Sequence, residues 1–504
     1  MRVLFLDLDT LRADHLGCYG YHRQTSPNID RIAAQGTRFN QYYVPDAPCL
    51  PARAALISGM HGIRNGAVNH GGTCADMRTQ GAQRGFKSGM DANSLWTIFR
   101  RKGMHTCSIS PFAERHSSFW FLAGLNEMHN HAGKGGMESA EEVTPVVLDW
   151  LDANRNRDNW MLHINYWDAH TPYRAPAAFG NPFADEPLPE WLDDDTLARH
   201  VQLAGPHTAR DNGMYTGTDD PRYPRHPNDI STREQLRRCL DGYDCGIRYM
   251  DGHIGQILDT LEGQGILDDT AIIVTSDHGE NFGELGVYSE HGTADQATCR
   301  IPMIIKWPGL PAARVDNGLH YNFDLLPTLC DLLGVRIDRD RAGWDGESYA
   351  GSLRGPADTG RDQLVLSQCA HVCQRSVRWA DWLYIRTYHD GLHPHFAPEM
   401  LFNVSSDPHE TNDLAASRPD LLQEGAARLL AWHDRMMRTQ PAGYHTDPLD
   451  LILSERGPEH ASIPVAGSGV YPGYLKRLRE TGRGDWIPAM IQRHPWLSAY
   501  DVPA

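Results

Sequence analysis

Three things are scarce in this chain. No run is apolar for the ~18 or more residues that a membrane span needs. The opening run Met1-Arg2-Val3-Leu4-Phe5-Leu6 meets Asp7 too early for a signal-peptide core. The expectation is a cytoplasmic protein with no membrane partner. Positive charge is also short. Lys and Arg number 47 against 64 Asp and Glu, a net charge of −17. That balance argues against a nucleic-acid partner or an anionic lipid surface, while leaving room for a local basic pocket around a small anion. Cysteine is sparse too, with 10 in 504 residues and no CxxC pair. This excludes a disulfide scaffold, and every cysteine except Cys49 reads as a reduced, mostly buried thiol.

What is present is an ordinary globular composition, 40% hydrophobic and 22% charged. At 504 residues the chain is too long for one small core. Val3 to Leu8 reads as a buried strand ending in carboxylates. Asn28 to Gly36, Pro51 to Ser58, Ala92 to Lys102, Gln235 to Gly263 and Asp324 to Leu333 read as helices. His105 to Ile109, Trp160 to Tyr166, Ala271 to Thr275 and Ile301 to Lys306 read as strands. Strands alternating with helices predict an α/β fold, a doubly wound, mostly parallel sheet sandwiched by helices. Past Gly360 the pattern turns to antiparallel strands (Gln363 to Ser367, Arg375 to Trp379, Trp382 to Thr387) and a helix at Leu421 to Met437, a smaller α+β subdomain. The expected division is a catalytic domain over 1–360, with a Pro- and Asp-rich insertion or lid at about 176–230, a subdomain over 361–440, and a tail over 441–504 placed at an oligomer interface.

Three short segments carry the chemistry. Asp7 and Asp9 lie two apart on a strand, so both face one side. Asp9, at the strand end, is the metal-ligand candidate, and Asp7 lies one layer deeper beside Thr10. Asp277-His278 ends a second strand and adds a carboxylate and an imidazole, donors suited to a divalent cation. Cys49 precedes a helix whose free N–H groups and dipole favour an anion. Arg53 follows one turn later on the same face. A bare thiolate beside a hard cation is a poor match, and conversion of Cys49 to an oxygen nucleophile would resolve it.

Cys49-Leu50-Pro51-Ala52-Arg53 resembles the modification signature of type I, formylglycine-dependent sulfatases, of alkaline phosphatase-like fold. The likeness extends over Leu16-Gly17-Cys18-Tyr19-Gly20, Ser26-Pro27-Asn28-Ile29-Asp30, His170-Thr171-Pro172-Tyr173, Ser276-Asp277-His278-Gly279-Glu280 and Arg300-Ile301-Pro302. The resemblance implies a sulfuric ester hydrolase acting on a small aryl or carbohydrate sulfate. It implies that a formylglycine-generating enzyme converts Cys49, and that one hydroxyl of the hydrated aldehyde attacks sulfur while the other then expels sulfate. Asp9, Cys49, Asp277 and His278 would hold one divalent metal, Ca²⁺ first, with Mg²⁺ and Mn²⁺ as alternatives. Arg53 would stabilise the diol, and His170 would serve the leaving oxygen. The family also makes a homo-oligomer, a dimer or tetramer, an expectation.

Two departures stand out. Asp9-Thr10 replaces a pair of adjacent acids, and Tyr288-Ser289-Glu290-His291-Gly292 stands where the family has a lysine, so His291 is assigned the cation's place. Asn69 and His70 are candidates for the sulfate pocket, as are Ser110 and His116, whose region lacks the family's Gly-Lys-x-His segment. Two other readings remain: a phosphonate monoester or phosphodiester hydrolase on the same scaffold, and a catalytically silent metal-binding scaffold whose Cys49 is never converted.

Overall fold

The computed structural model describes residues 1–78, 92–130, 132–213, 217–338, 342–355, 358–440, 445–455, 457–461 and 470–501. Parts of the expected insertion and tail (214–216, 441–444, 462–469 and 502–504 among them) lie outside the described residues.

The strand β1 (Arg2–Leu8) explains the architecture. Its run of apolar residues suits a strand buried on both faces, as central strands of parallel sheets are. Val3 and Phe5 enter one core with Ala52, Ala55 and Leu56, while Leu4, Leu6 and Leu8 enter the other with Ile247, Met250 and Ile254. Period-2 alternation places Asp7 on the Val3–Phe5 side. The remaining strands are β2 (Thr37–Tyr43), β3 (Asp46–Ala47), β4 (His105–Ile109), β5 (Glu127–His129), β6 (Trp160–Tyr166), β7 (Thr270–Thr275), β8 (Asn281–Phe282), β9 (Tyr288–Glu290), β10 (Met303–Lys306), β11 (Arg314–Tyr321), β12 (Gln363–Gln368), β13 (Cys373–Trp379), β14 (Trp382–His389) and β15 (Glu399–Asn403). The main sheet runs β11-β2-β10-β7-β1-β6-β4-β5. β10 alone is antiparallel to its neighbours β2 and β7. The α/β expectation holds, and helices cover both faces.

Helix α1 (Pro27–Ala34) packs on one side of the sheet, and α2 (Cys49–Ser58) lies on the other. Every residue of α2 is buried, as expected of a helix that is apolar almost all round. Pro51 sits in its first turn, where the missing N–H costs nothing. Gly59, at φ 75°, ends it in the left-handed conformation that glycine adopts freely.

A second sheet, β15-β14-β13-β12-β3, carries the C-terminal strands. Its last member is borrowed from the first part of the chain. β3 pairs parallel with β12, Asp46 beside Ser367 and Ala47 beside Gln368. Two residues later α2 begins with Cys49.

The segment expected to be an insertion or lid is packed. Phe183, Leu188, Leu192, Ala204, Ala209 and Ile230 are buried, and Asp194–His200 is helical. Asp211 within it accepts from Arg477 and from Arg483 of the tail, at 2.9 and 2.6 Å. Arg375 of β13 makes a two-point bond to Asp447, at 2.6 and 2.7 Å. The tail therefore folds back on its own chain. Among the described residues no helix is long and apolar enough to cross a membrane.

Candidate active site

The carboxyl ends of β1 and β7 and the start of α2 meet at one point, the usual place for a ligand in a doubly wound sheet. Just past β1 the chain turns sharply, with Thr10 at φ 62°. The Asp9 N–H donates to Tyr166 O at 2.9 Å. Thr10 then donates twice, from its backbone N–H to Asp277 Oδ1 at 3.1 Å and from Oγ1 to Asp9 Oδ1 at 2.9 Å. Thr10 thus orients both carboxylates.

Arg53 is enclosed by carboxylates. Nε donates to Asp7 Oδ2 and Nη2 to Asp9 Oδ2, both at 2.9 Å, and Nη1 pairs with Asp277. Asp7 also receives His163, at 3.4 Å, whose other nitrogen meets Ser108 Oγ at 2.8 Å. One guanidinium for three buried carboxylates leaves excess negative charge. Burial pushes Asp277 up to about 8. Arg53 opposes this, and the charges of Asp9 and Asp7 add to it. Asp9 is also raised by burial, but Arg53 and the neighbouring histidines outweigh that and hold it well below the usual carboxylate range.

His278 Nδ1 meets Gly279 O at 2.8 Å. A carbonyl only accepts, so Nδ1 carries the hydrogen and Nε2 is left with its lone pair. Nε2 lies 3.0 Å from Cys49 Sγ and 3.3 Å from Asp277 Oδ2. One donor atom from each of Asp9, Cys49, Asp277 and His278 falls within 4.8 Å of the others. Two carboxylates and a proton-free imidazole nitrogen, carrying surplus negative charge, fit a divalent cation. The Cys49 thiol is pushed well up by burial and by Asp9 and Asp277. It is therefore a poor nucleophile in its unmodified form.

His170 and His291 stand above this cluster. Their ring centres are 5.6 Å apart, and His291 lies 4.0 Å from the His278 ring. His170 Nδ1 donates to the Thr171 carbonyl, so its Nε2 is also proton-free. Burial pulls His170 down to about 3. Burial acts the same way on His291, but Glu290, with Oε1 at 2.8 Å, and Glu280, 3.8 Å away, push it up to about 10.

The sulfatase family model matches residues 2–335, two-thirds of the chain and all of the strand ends just described. The chain belongs to the sulfatase family. It is similar to the choline-sulfatase of Rhizobium meliloti (strain 1021), 26% identical over 439 residues that cover 77% of each chain. It is also similar to arylsulfatase A of Homo sapiens, 24% identical over 471 residues that cover 84% of this chain and 85% of the relative. Among solved structures, one complex with its substrate D-glucosamine-2-N,6-O-disulfate superposes with a TM-score of 0.68, 18% identity, and coverage of 87% and 99%. A phosphonate monoester hydrolase from Silicibacter pomeroyi superposes with a TM-score of 0.66, 20% identity, and coverage of 88% and 96%. These solved relatives share the alkaline phosphatase-like fold.

In this sulfatase the other expected site residues divide. His70 and His116 reach Cys49. Their donor atoms lie within 4.8 Å of Cys49 Sγ and of each other. Each has a buried Nε2 with no hydrogen-bond partner. Burial pulls His116 down to about 3, and His70 well below its ordinary value. Asn69 and Ser110 are used locally instead. Asn69 donates to Thr73 O at 3.1 Å and accepts from His70 N at 2.8 Å, closing its own loop. Ser110 donates to Asn165 Oδ1 and accepts from Phe112 N, both at 3.1 Å.

Trp167 and Tyr173, the aromatics flanking His170 in sequence, are fully buried. The Tyr173 hydroxyl donates to Glu280 Oε1 at 2.7 Å, and Arg53 and Arg115 lie over the Trp167 ring, at 5.7 and 4.8 Å. Three neighbours went unnoticed in the sequence: His163 behind Asp7, Glu290 beside His291, and His460, which comes from the tail to within 5.5 Å of the His70 ring. Glu290 was the readable one, since it stands next to His291 and at the end of a strand.

Proposed function

Beyond sulfate ester hydrolysis itself, we propose that this sulfatase works through a hydrated formylglycine made from Cys49 and one divalent cation, on an aryl or carbohydrate sulfate. The observation that carries the reading is the position of Cys49 Sγ. The first residue of a buried helix presents it to Asp9, Asp277 and His278 together. Asp9, Asp277 and His278 would hold the cation, which supplies Lewis-acid polarisation of a sulfate oxygen and of the nucleophile. Calcium is the first expectation from two carboxylates.

The chain's own residues do the rest. The modified Cys49 side chain provides an oxygen nucleophile at the helix start. Arg53 fixes Asp7, Asp9 and Asp277 in place and offsets their charge. His291, held protonated by Glu290, is the cation beside the sulfate. His170, with Nε2 proton-free until a substrate anion favours its charged form, is the proton carrier for the leaving oxygen. His70 and His116 lie close to Cys49 and have free Nε2 atoms, so hydrogen bonds to sulfate oxygens can form there.

The test pairs two measurements on protein from its native host. A Cys49 peptide lighter by about 18 Da is expected from thiol-to-aldehyde conversion, together with sulfate release from an aryl sulfate. An unshifted peptide mass with no turnover would leave the silent scaffold. A preference of several orders of magnitude for an aryl phosphonate would establish the phosphonate hydrolase reading, which shares the tetrahedral anionic centre.

A further inference from the structure

Behind His291 lies a second set of convergent ligands. Glu290, the last residue of β9, is approached from three directions. His291 Nε2 lies 2.8 Å from its Oε1, His207 Nε2 lies 3.4 Å from its Oε2, and His371 Nε2 lies 3.5 Å from its Oε1. His207 comes from the 176–230 segment and His371 from the turn between β12 and β13, so only the folded chain brings them together.

The two longer distances are informative. Charge-assisted N–H···O bonds run at about 2.7–2.9 Å, so 3.4 and 3.5 Å do not describe imidazoles donating to the carboxylate. Ligand atoms held about 2.0–2.1 Å from a tetrahedral ion stand about 3.3–3.4 Å apart, close to both spacings, with His207 facing Oε2 of Glu290 and His371 facing Oε1. All three donor atoms lie within 4.8 Å of one another. They border a cavity of about 10 Å³, roughly the room one small occupant needs. Two other histidines line that cavity. His393 is committed on both nitrogens, to Pro206 O at 2.8 Å and Asp390 O at 3.0 Å. His460 stacks on His371 with ring centres 4.1 Å apart, and its Nε2 is buried without a hydrogen-bond partner.

We propose that His207, Glu290 and His371 form a second metal site, for a zinc-like first-row divalent cation in the cavity that His460 also lines. Two imidazoles and one carboxylate match that class of ion and fit calcium poorly. This site stands on its own geometry and does not depend on Cys49 being converted. Glu290 joins it to His291, so its occupant borders the sulfate pocket without sharing a ligand with the Asp9 centre.

The experiment uses the full chain, stripped with a chelator, returned to excess Ca²⁺ and titrated with Co²⁺. Equivalents are counted by mass spectrometry of the metal, and geometry is read from the visible spectrum. An Asp277→Asn chain, with the Asp9 centre disabled, is expected to bind one equivalent with tetrahedral bands. Adding His371→Ala or His207→Ala should weaken that binding by about 100-fold. Circular dichroism checks folding. If His371→Ala does not fold, His207→Ala, on a separate segment, carries the test. The proposal is overturned if the Asp277→Asn chain binds no cobalt, if both histidine variants bind as tightly as that parent, or if a thiolate-to-cobalt band assigns the ion to Cys49.

Discussion

Nε2 of His278 lies 3.0 Å from Sγ of Cys49, and its lone pair is fixed there because Nδ1 donates to Gly279 O. That one lone pair can accept the Cys49 S–H or, in the proposed centre, hold the cation. His278→Ala should lower apparent metal affinity by about 100-fold or more. Chelation should silence the wild type, and added Ca²⁺ or Mg²⁺ should restore it. For the variant, turnover should rise with metal at concentrations where the wild type is saturated. Identical metal dependence in the two proteins would remove His278 from the ligand set.

Arg53 holds three buried carboxylates. Removing one partner of a buried ion pair typically costs about 3–5 kcal/mol, and Arg53→Met is expected to fall in that range by urea unfolding. Because a divalent cation compensates the same charge, added Ca²⁺ should stabilise the variant more than the wild type.

His291 reaches a pKa of about 10, burial pulling it down and Glu290 pushing it further up. The folded value lies above the unfolded value of about 6.5. Its contribution to stability is therefore fully present below about 6.5 and fades as pH rises through about 10. His291→Gln should cost about 100-fold in kcat/KM at pH 7, and His291→Lys should retain most activity. With no first-row cation present to share Glu290, the alkaline limb of the wild-type pH profile should lie near 10. A limb near 6.5 would mean the imidazole is neutral in the working enzyme.

His170 is assigned to the leaving oxygen, so its loss should matter most when that oxygen most needs a proton. His170→Ala should lower kcat/KM by about 10²–10³-fold for an alkyl sulfate and far less for a nitrophenyl sulfate. An equal loss on both would leave His170 as a sulfate-binding group only.

Asp168 is raised to about 7 by burial, although its Oδ1 accepts from Ala140 N at 3.0 Å. Its Oδ2 has no partner. The folded pKa exceeds the unfolded one, so ionising Asp168 penalises the folded state increasingly as pH rises from about 4 to about 7. Asp168→Asn keeps the acceptor and removes the charge. Its melting temperature should gain on the wild type between pH 5 and pH 8, and a constant gap would show that Asp168 stays neutral or solvated.

Legibility followed locality. Asp9, Cys49, Arg53, Asp277 and His278 were readable because each sits at a strand end or helix start whose pattern lies within a few neighbouring residues. The central strands β1, β6 and β7 announced themselves by apolar runs. β2 did not, because Arg38, Asn40 and Gln41 are only partly buried along its length and interrupt the alternation. The packed state of the 176–230 segment was hidden for another reason. It is held partly by Asp211 with Arg477 and Arg483, charge pairs between distant segments that leave no periodicity. The grouping of His207, Glu290 and His371 is hidden in the same way, since each comes from a different stretch of the chain.

The two-residue strand Asp46–Ala47 gives the site a timetable. It has no partner in its own sheet until β12 has been synthesised, hundreds of residues later. Until then it is tied nearby by the Gly62 N–H, which donates to Asp46 Oδ2 at 2.7 Å. The last main-chain pairing that fixes the approach to Cys49 therefore depends on the C-terminal part of the chain, so a truncation before β12 would loosen the start of α2.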